Sequence, residues 1–384
     1  MKKSLNIGII GFGFMGKVHA YSISNLKYFY SALPFEAKLF GVCTTSREKS
    51  ENVAAEFGFS KVYDSADELI ADPNIDVVDI CTPNHLHYDS LKKAILAGKA
   101  IYCEKPLCIS YEQAKEIAEL ATESGTLSSI VFNNRHIAPI MRAKEIIEAG
   151  DLGRILSFSC EYLHNSAIDT QKPAGWKQTR DVCGGGVLVD LGSHCIDLIY
   201  FLCGGFESVC GMSQIAFSDR TGRDGKPWKT DADEAFYMLC NLTSGAKGSI
   251  TVSKIASGTN DDLNLSIYGE KGAISFSLMQ PNFLRFYDGS APTGALGGYS
   301  GFRDIECVGR YPAPASGFPA IKAPSSWIRG HVQSMYDFLS AVYDGSASHP
   351  DISDAAYVQA VIEAAYSSSE RGGFVRVSEI TKED

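Results

Sequence analysis

Apolar residues in the first third of the chain fall into short β-rich runs at 4–10, 37–43, 75–81, 99–103 and 127–132, separated by segments with helical spacing. Such alternation predicts a doubly wound parallel sheet, because each parallel strand needs a crossover helix to return the chain to its starting end. Local signals agree. Ser110-x-x-Gln113 resembles a capping box ahead of apolar Ile117, Ala118, Leu120 and Ala121, and Gly125 ends that helix as Gly98 ends the one before it. After about residue 150 the period shortens to two, with long alternating segments at 154–163, 206–215, 233–242, 246–255, 262–268, 272–278 and 282–287. Few helices intervene, so an open, largely antiparallel sheet is expected. Two amphipathic helices close the chain, one with Val332, Met335, Phe338, Leu339 and Val342 on a face, the other starting near Ser353 with Val358, Val361, Ile362 and Ala365. The glycine-rich stretch 288–301 and the stretch 309–330, with Pro312, Pro314, Pro319 and Pro324, can hold no regular ladder. They read as surface excursions, or as a lid or an oligomer contact. No internal repeat is detectable.

A chain of 384 residues with 45% hydrophobic and 21% charged positions can bury a sizeable core and suits two domains. A formal charge of -10 argues against a nucleic-acid partner. There is no leader-like N-terminal segment, and the most apolar long stretch, Val187–Cys203, carries Asp190, His194 and Asp197, which a bilayer would penalise. The expectation is a cytoplasmic protein with no membrane partner. Its eleven cysteines form no CxxC pair and read as reduced core thiols. Cys81, His85, His87 and Cys103 match no zinc spacing, so no metal is expected.

The first strand runs into Gly11-Phe-Gly13-Phe14-Met15-Gly16. In such a turn the first glycine permits a tight bend, the second lets backbone approach a pyrophosphate and the third lets helix and strand pack closely, so the turn predicts a dinucleotide site. The phosphate then meets free N–H groups at the helix start. Two further motifs follow strand ends, where open α/β sheets bind ligands: Thr82-Pro83-Asn84-His85-Leu86-His87 and Glu104-Lys105-Pro106. A third opens a helix that is apolar nearly all round, Gly184-Gly-Gly-Val-Leu-Val-Asp190-Leu-Gly-Ser-His194. Asp190 and His194, at i and i+4, share one face, and a buried carboxylate beside an imidazole is costly unless paired or used. A purely structural Asp-His pair is the plain alternative.

These motifs, in this order and over essentially the whole chain, resemble the glucose-fructose oxidoreductase / inositol dehydrogenase (Gfo/Idh/MocA) family. The resemblance implies an NAD(P)-binding Rossmann domain, placed at 1–133, and a substrate-binding and oligomerisation α/β domain with an open, mainly antiparallel sheet at 134–384. It implies a small-molecule carbohydrate substrate and a homodimer or homotetramer. Carried over, Lys105 would orient or polarise the reacting hydroxyl, Asp190 would hold substrate or histidine, and His194 would be the acid/base. Gly11, Gly13, Phe14, Met15, Gly16, Thr82, Pro83, Asn84, His87, Glu104 and Lys105 would line the cofactor, with Pro106 after a cis bond. Asn133-Asn-Arg135-His136 and Trp176-Lys177 match positions that often touch nicotinamide or substrate, Asn133 and Trp176 the cofactor among them. His19, His331 and Asp197 read as structural groups.

The chemistry suits those residue types independently of any resemblance. Oxidising a secondary alcohol needs a base near neutrality while hydride leaves the carbon, and an ammonium stabilises the developing alkoxide. One departure concerns the cofactor. The second strand ends Gly41-Val-Cys-Thr44-Thr45-Ser46-Arg47, without the Asp or Glu that binds a ribose 2′-hydroxyl. Thr44, Ser46 and Arg47 there suit a 2′-phosphate, which favours NADP over NAD unless Arg47 faces solvent with Ser46 as a helix cap. The leading reading is an NAD(P)-dependent dehydrogenase or reductase acting on a sugar, polyol or glycoside. Two others stay open: a glycoside hydrolase or lyase using transiently reduced cofactor, and a non-catalytic dinucleotide sensor.

Overall fold

A computed structural model describes residues 2–324 and 327–382. The chain packs as two compact units, Met1–His136 with Gly309–Ala356, and Ile137–Val308 with Tyr357–Asp384.

The first unit is built on β1 (Lys3–Ile10), α1 (Phe14–Phe29), β2 (Phe35–Cys43), α2 (Arg47–Phe57), β3 (Lys61–Val62), α3 (Ala66–Ala71), β4 (Val77–Ile80), α4 (His87–Leu96), β5 (Ala100–Cys103), α5 (Tyr111–Ser124) and β6 (Ser128–Ile130). Its six strands form a parallel sheet in the order β3-β2-β1-β4-β5-β6, the Rossmann arrangement that the alternating runs predict. The predicted caps are in place. The hydroxyl of Ser110 accepts from the amide of Gln113, and Gly98 and Gly125 take the left-handed conformation at helix ends. The two-residue edge strand β3 is too short to show in the hydrophobic pattern. The helix Trp327–Asp344, which the sequence reading grouped with the second domain, packs with the first unit. Its Val332, Met335, Phe338 and Leu339 share a core with Leu5, Ile7 and Ile9 of β1 and Ile23 and Leu26 of α1. The preceding proline-rich stretch is partly tied down. Ser31 and Ser316 donate backbone hydrogen bonds to Pro314 and Phe29, and Arg329 stacks on Tyr311 at 3.6 Å.

The second unit holds β7 (Ile155–Leu163), β8 (Phe206–Gln214), β9 (Asp219–Thr221), β10 (Pro227–Lys229), β11 (Ala235–Leu242), β12 (Lys247–Ser253), β13 (Asp262–Gly269), β14 (Gly272–Ser277), β15 (Phe283–Asp288), β16 (Arg303–Glu306) and β17 (Val375–Arg376). Nine of them make one sheet in the order β16-β15-β14-β13-β7-β12-β11-β8-β17, antiparallel except for the β7–β12 pair. Strand β16 falls between the two stretches, 288–301 and 309–330, expected to hold no regular ladder. The hairpin β9–β10 is outside the sheet and was not expected from the sequence. Phe158, Cys160 and Tyr162 of β7, Leu263, Leu265 and Ile267 of β13 and Phe236, Met238 and Cys240 of β11 point into the buried side, giving the period-two signal. The stretch Arg180–Cys203 is long and apolar enough to cross a membrane, but most of it is buried in this unit's interior, as a core helix would be.

Candidate active site

In the first unit, β1 delivers the chain to Gly11, whose φ of +87° few side chains tolerate and where a Cβ would fall 2.7 Å from the carbonyl oxygen of Cys81. A Cβ on Gly16 would lie 2.7 Å from the oxygen of Gly11, so α1 sits as close to the turn as the third glycine allows. Above Gly13 there is open space, with no atom within 4 Å of an added Cβ. Gly13 caps α1 without a side-chain hydrogen bond, and the first turn carries no acidic residue. The N–H groups there are thus not capped by the N-cap side chain and have no acidic residue in their own turn. Phe14 is exposed and stacks on Trp327 at 6.0 Å, while Met15 is half-buried. At the end of β4, the buried hydroxyl oxygen of Thr82 has no hydrogen-bond partner among the described residues. Open backbone, an uncapped helix start and an orphaned hydroxyl together fit a dinucleotide pyrophosphate.

The loops that follow β4 and β5 are held by His87. Its Nδ1 lies 2.8 Å from the carbonyl oxygen of Pro106 and its Nε2 2.9 Å from that of Thr82, while burial pushes its pKa down. His87 is therefore a brace behind these two loops, beside the short turn Asn84–Leu86 that Pro83 opens. The Lys105–Pro106 peptide is cis, as expected. Lys105 donates its backbone N–H to Glu104 Oε2 at 3.2 Å. Glu104 Oε1 faces inward to His19 Nε2 at 3.1 Å, and His19 Nδ1 meets Asp79 Oδ1 at 2.9 Å. Glu104 is thus committed to a buried network. Burial opposes the charge on His19, but Asp79 and Cys81 outweigh it and hold the pKa well above the usual value. Asn133 is buried and donates to Asn134 Oδ1, Arg135 pairs with Asp354 at 3.6 Å, and His136 pairs with Asp337 at 3.0 Å. These partners make Arg135 and His136 supports within the first unit.

The end of β2 departs from the expectation of a phosphate-binding arginine. Ser46 caps α2, accepting from the amide of Lys49, and Thr44 Oγ1 donates to the carbonyl of Ser46. Arg47 Nη1 donates to both carboxylate oxygens of Asp64, at 2.9 and 2.8 Å, and its Nε to Glu51 at 2.9 Å. The cation is already surrounded by two carboxylates.

In the second unit, the chain turns at Gly184 and enters a wide π-helical turn, Leu188–Gly192, followed by the helix Ser193–Cys203. Wide turns of this kind re-aim side chains and recur at functional sites. The triple glycine has a steric cause. A Cβ on Gly186 would fall 2.1 Å from the carbonyl oxygen of Asp233, and one on Gly185 would fall 2.3 Å from the Tyr366 hydroxyl. Asp233 in turn caps the segment, accepting from the amides of Gly186 at 2.8 Å and Leu188 at 2.9 Å and from the Tyr366 hydroxyl at 2.5 Å.

The carboxylate of Asp190 is clamped by two cations. Lys254 Nζ lies 2.9 Å from Oδ2, and Lys177 Nζ lies 3.2 and 3.1 Å from the two oxygens. Lys177 is exposed beside the half-exposed Trp176, whereas the Lys254 side chain is only 15% accessible. His194 is buried, its ring edge-on to Tyr162 at 6.0 Å. Beyond it the Tyr162 hydroxyl and His164 Nε2 share Asp261 Oδ1, at 2.7 and 2.8 Å. Burial raises the pKa of Asp261, but the hydrogen bonds from His164 and Tyr162 outweigh it and bring it below the usual value. This unit therefore gathers a carboxylate with a fixed countercharge, an imidazole on the following helical turn and a rim of hydrogen-bonding groups, a set suited to proton transfer on a hydroxylated compound. Sequence reading missed Asp233, Tyr366, Lys254, Tyr162, His164 and Asp261. Their partners are remote in sequence, and only Lys254, a charge just beyond an apolar strand, carried a signal.

Residues 5–132 match the profile of a family described as oxidoreductase family, NAD-binding Rossmann fold, and residues 140–275 match the GFO/IDH/MocA C-terminal domain. A levoglucosan dehydrogenase of Pseudarthrobacter phenanthrenivorans is 29% identical over 99% of this chain and 100% of its own length. A solved structure of levoglucosan dehydrogenase in complex with NADH and levoglucosan superposes with a TM-score of 0.93 at 29% identity, covering 98% of this chain and all of that one. The crystal structure of an NAD binding oxidoreductase from Klebsiella pneumoniae gives 0.92 at 30% identity, covering 97% and 99%.

Proposed function

This chain belongs to the Gfo/Idh/MocA family of oxidoreductases, and from that premise we propose that it is an NAD-dependent dehydrogenase of a sugar, polyol or glycoside, interconverting a secondary hydroxyl and its ketone. The observation that carries the reading is the Asp190 carboxylate, clamped by lysines one turn before a buried His194, in a chain whose other unit has an uncapped helix start behind Gly-x-Gly-x-x-Gly. A bound nicotinamide would supply the hydride acceptor for the carbinol carbon. In the second unit, the imidazole of His194 would remove the hydroxyl proton and Asp190 would hold the charge and orientation of His194 or of a substrate hydroxyl; in the first unit, Lys105 would supply an ammonium that stabilises oxyanion character in the reaction. His164, Asp261 and Tyr162 offer donors and acceptors to further hydroxyls. The resemblance to an enzyme named for levoglucosan supports a carbohydrate substrate.

For the cofactor, the hydroxyls at the end of β2 favoured NADP. The charges there support NAD, since Glu51 and Asp64 outnumber Arg47 and would repel a 2′-phosphate. Eleven free thiols support a reducing, cytoplasmic setting. The outer face of the nine-stranded sheet carries exposed Met212, Tyr237, Leu239 and Tyr268 around a row of Ser159, Ser249, Ser266 and Ser275 in mutual register, which supports a homo-oligomer closed by a second copy.

The test is a panel of sugars, polyols and glycosides with each dinucleotide, following absorbance of the reduced nicotinamide and product mass. Reduced cofactor accumulating with a ketone product is expected. Bond cleavage without accumulation would point instead to transient-redox elimination, and binding without turnover to a sensor.

A further inference from the structure

Lys254 follows β12, outside every motif that the family resemblance supplies, yet its ammonium lies 2.9 Å from Asp190 Oδ2. It is held there from both sides of its backbone. The N–H of Lys254 donates to the carbonyl of Glu234 at 2.7 Å, and its carbonyl accepts from the N–H of Ala167 at 2.8 Å. Glu234 is itself buried in an ion pair with Arg220. The two lysines on Asp190 thus differ in kind. Lys177 is half-exposed on a loop and can leave the carboxylate at little cost, whereas Lys254 is largely desolvated and fixed by the sheet. A carboxylate with one permanent countercharge remains ionised and stays in one rotamer whatever Lys177 does.

We propose that Lys254 is a positioning residue for the reaction: it holds Asp190 ionised and oriented, and so sets the charge felt by His194 on the next helical turn. The proposal rests on the assignment of Asp190 and His194 to catalysis. Within the second unit, the charged and titratable groups set near His194 include Asp190 with Lys177 and Lys254 on its carboxylate, Tyr162 edge-on to the ring with His164 and Asp261 beyond it, and the buried Asp197 three positions on along the helix. Removing Lys254 leaves the negative charge of Asp190 less compensated, which stabilises the imidazolium of His194. For alcohol oxidation, which needs the neutral imidazole, the acid limb of the pH profile must then move to higher pH.

The experiment compares Lys254→Met, Lys254→Gln and Lys254→Arg in the full chain with saturating NAD and an accepted sugar, scored per folded molecule by near-ultraviolet dichroism. Lys254→Met and Lys254→Gln are expected to lower kcat/KM about ten- to a hundredfold and to raise the acid limb by about half a pH unit or more. Lys254→Arg should restore both, because it returns a cation to the carboxylate. In an Asp190→Asn background the Lys254→Met change should no longer move the limb. A lower melting temperature in Lys254→Met and Lys254→Gln with an unmoved limb, while His194→Ala is inactive, overturns this proposal alone. Retained turnover in His194→Ala overturns the catalytic assignment beneath it.

Discussion

Gly186 and Asp233, 47 residues apart in sequence, are locked together: the Gly186 N–H donates to Asp233 Oδ1 at 2.8 Å, and a Cβ on Gly186 would fall 2.1 Å from the Asp233 carbonyl oxygen. The contact places the start of the segment that carries Asp190 and His194. Gly186→Ala is expected to abolish folding of the second unit or displace this segment, seen as loss of near-ultraviolet dichroism and of turnover together. Asp233→Ala strands the buried amide of Leu188 and the Tyr366 hydroxyl, leaving Gly186 only its bond to that hydroxyl, and should cost about 2–5 kcal/mol in denaturant unfolding, with Asp233→Asn intermediate.

Arg47 tests the cofactor. With its guanidinium on Glu51 and Asp64, Arg47→Ala should leave the NADH dissociation constant within about twofold, less than 0.5 kcal/mol, in calorimetric titration. Thr44→Asp should change NADH binding little and weaken NADPH binding further. A wild-type preference for NADPH of about tenfold, near 1.4 kcal/mol, would refute the NAD assignment.

His194→Ala should lower turnover by about 100- to 10,000-fold, the usual range for general acid–base catalysis, while dinucleotide affinity stays near wild type. Asp190→Asn should lose less. Lys105→Met should also slow turnover, with some effect on dinucleotide binding because Lys105 follows β5, at the strand end where the dinucleotide is proposed to bind. Steady-state and single-turnover rates of hydride transfer check the order.

His19 makes stability pH-dependent. Its folded pKa lies well above the ordinary value because Asp79 and Cys81 outweigh burial. Its contribution is complete below the unfolded pKa of about 6.5 and is lost as pH rises through the folded value. Denaturation midpoints should therefore fall as pH climbs above about 6.5, and this slope should flatten in His19→Gln. An unchanged slope in that variant would show that other groups carry it.

The exposed sheet face predicts that Leu239→Asp, on the strand beside Met212 and Tyr237, dissociates an oligomer. Light scattering at micromolar concentration should give a dimer or tetramer for wild type and a smaller species for the variant; a monomeric wild type would reject the claim.

What the sequence by itself determined is whatever depends on neighbours along the chain. Period and crossover length specified the parallel sheet and the antiparallel one. Glycine spacing specified the turn before α1, Ser46 and Ser110 specified helix starts, and the spacing of Asp190 and His194 placed them one helical turn apart, because each is governed by local backbone geometry. Only the tertiary structure decided where separate segments meet. The helix Trp327–Asp344 has the same amphipathic pattern whichever unit it serves, and it joined the first because its apolar face completes the core around β1 and α1. Arg47 reads as a phosphate ligand until Asp64, 17 residues on, takes its guanidinium. The lysine that fixes Asp190 and the carboxylate that caps its segment come from Lys254 and Asp233, whose partners sit 64 and 47 positions away in the chain. A long-range ion pair or cap leaves no periodic trace, because its energy depends on where two folded elements come to rest and not on the spacing within either one.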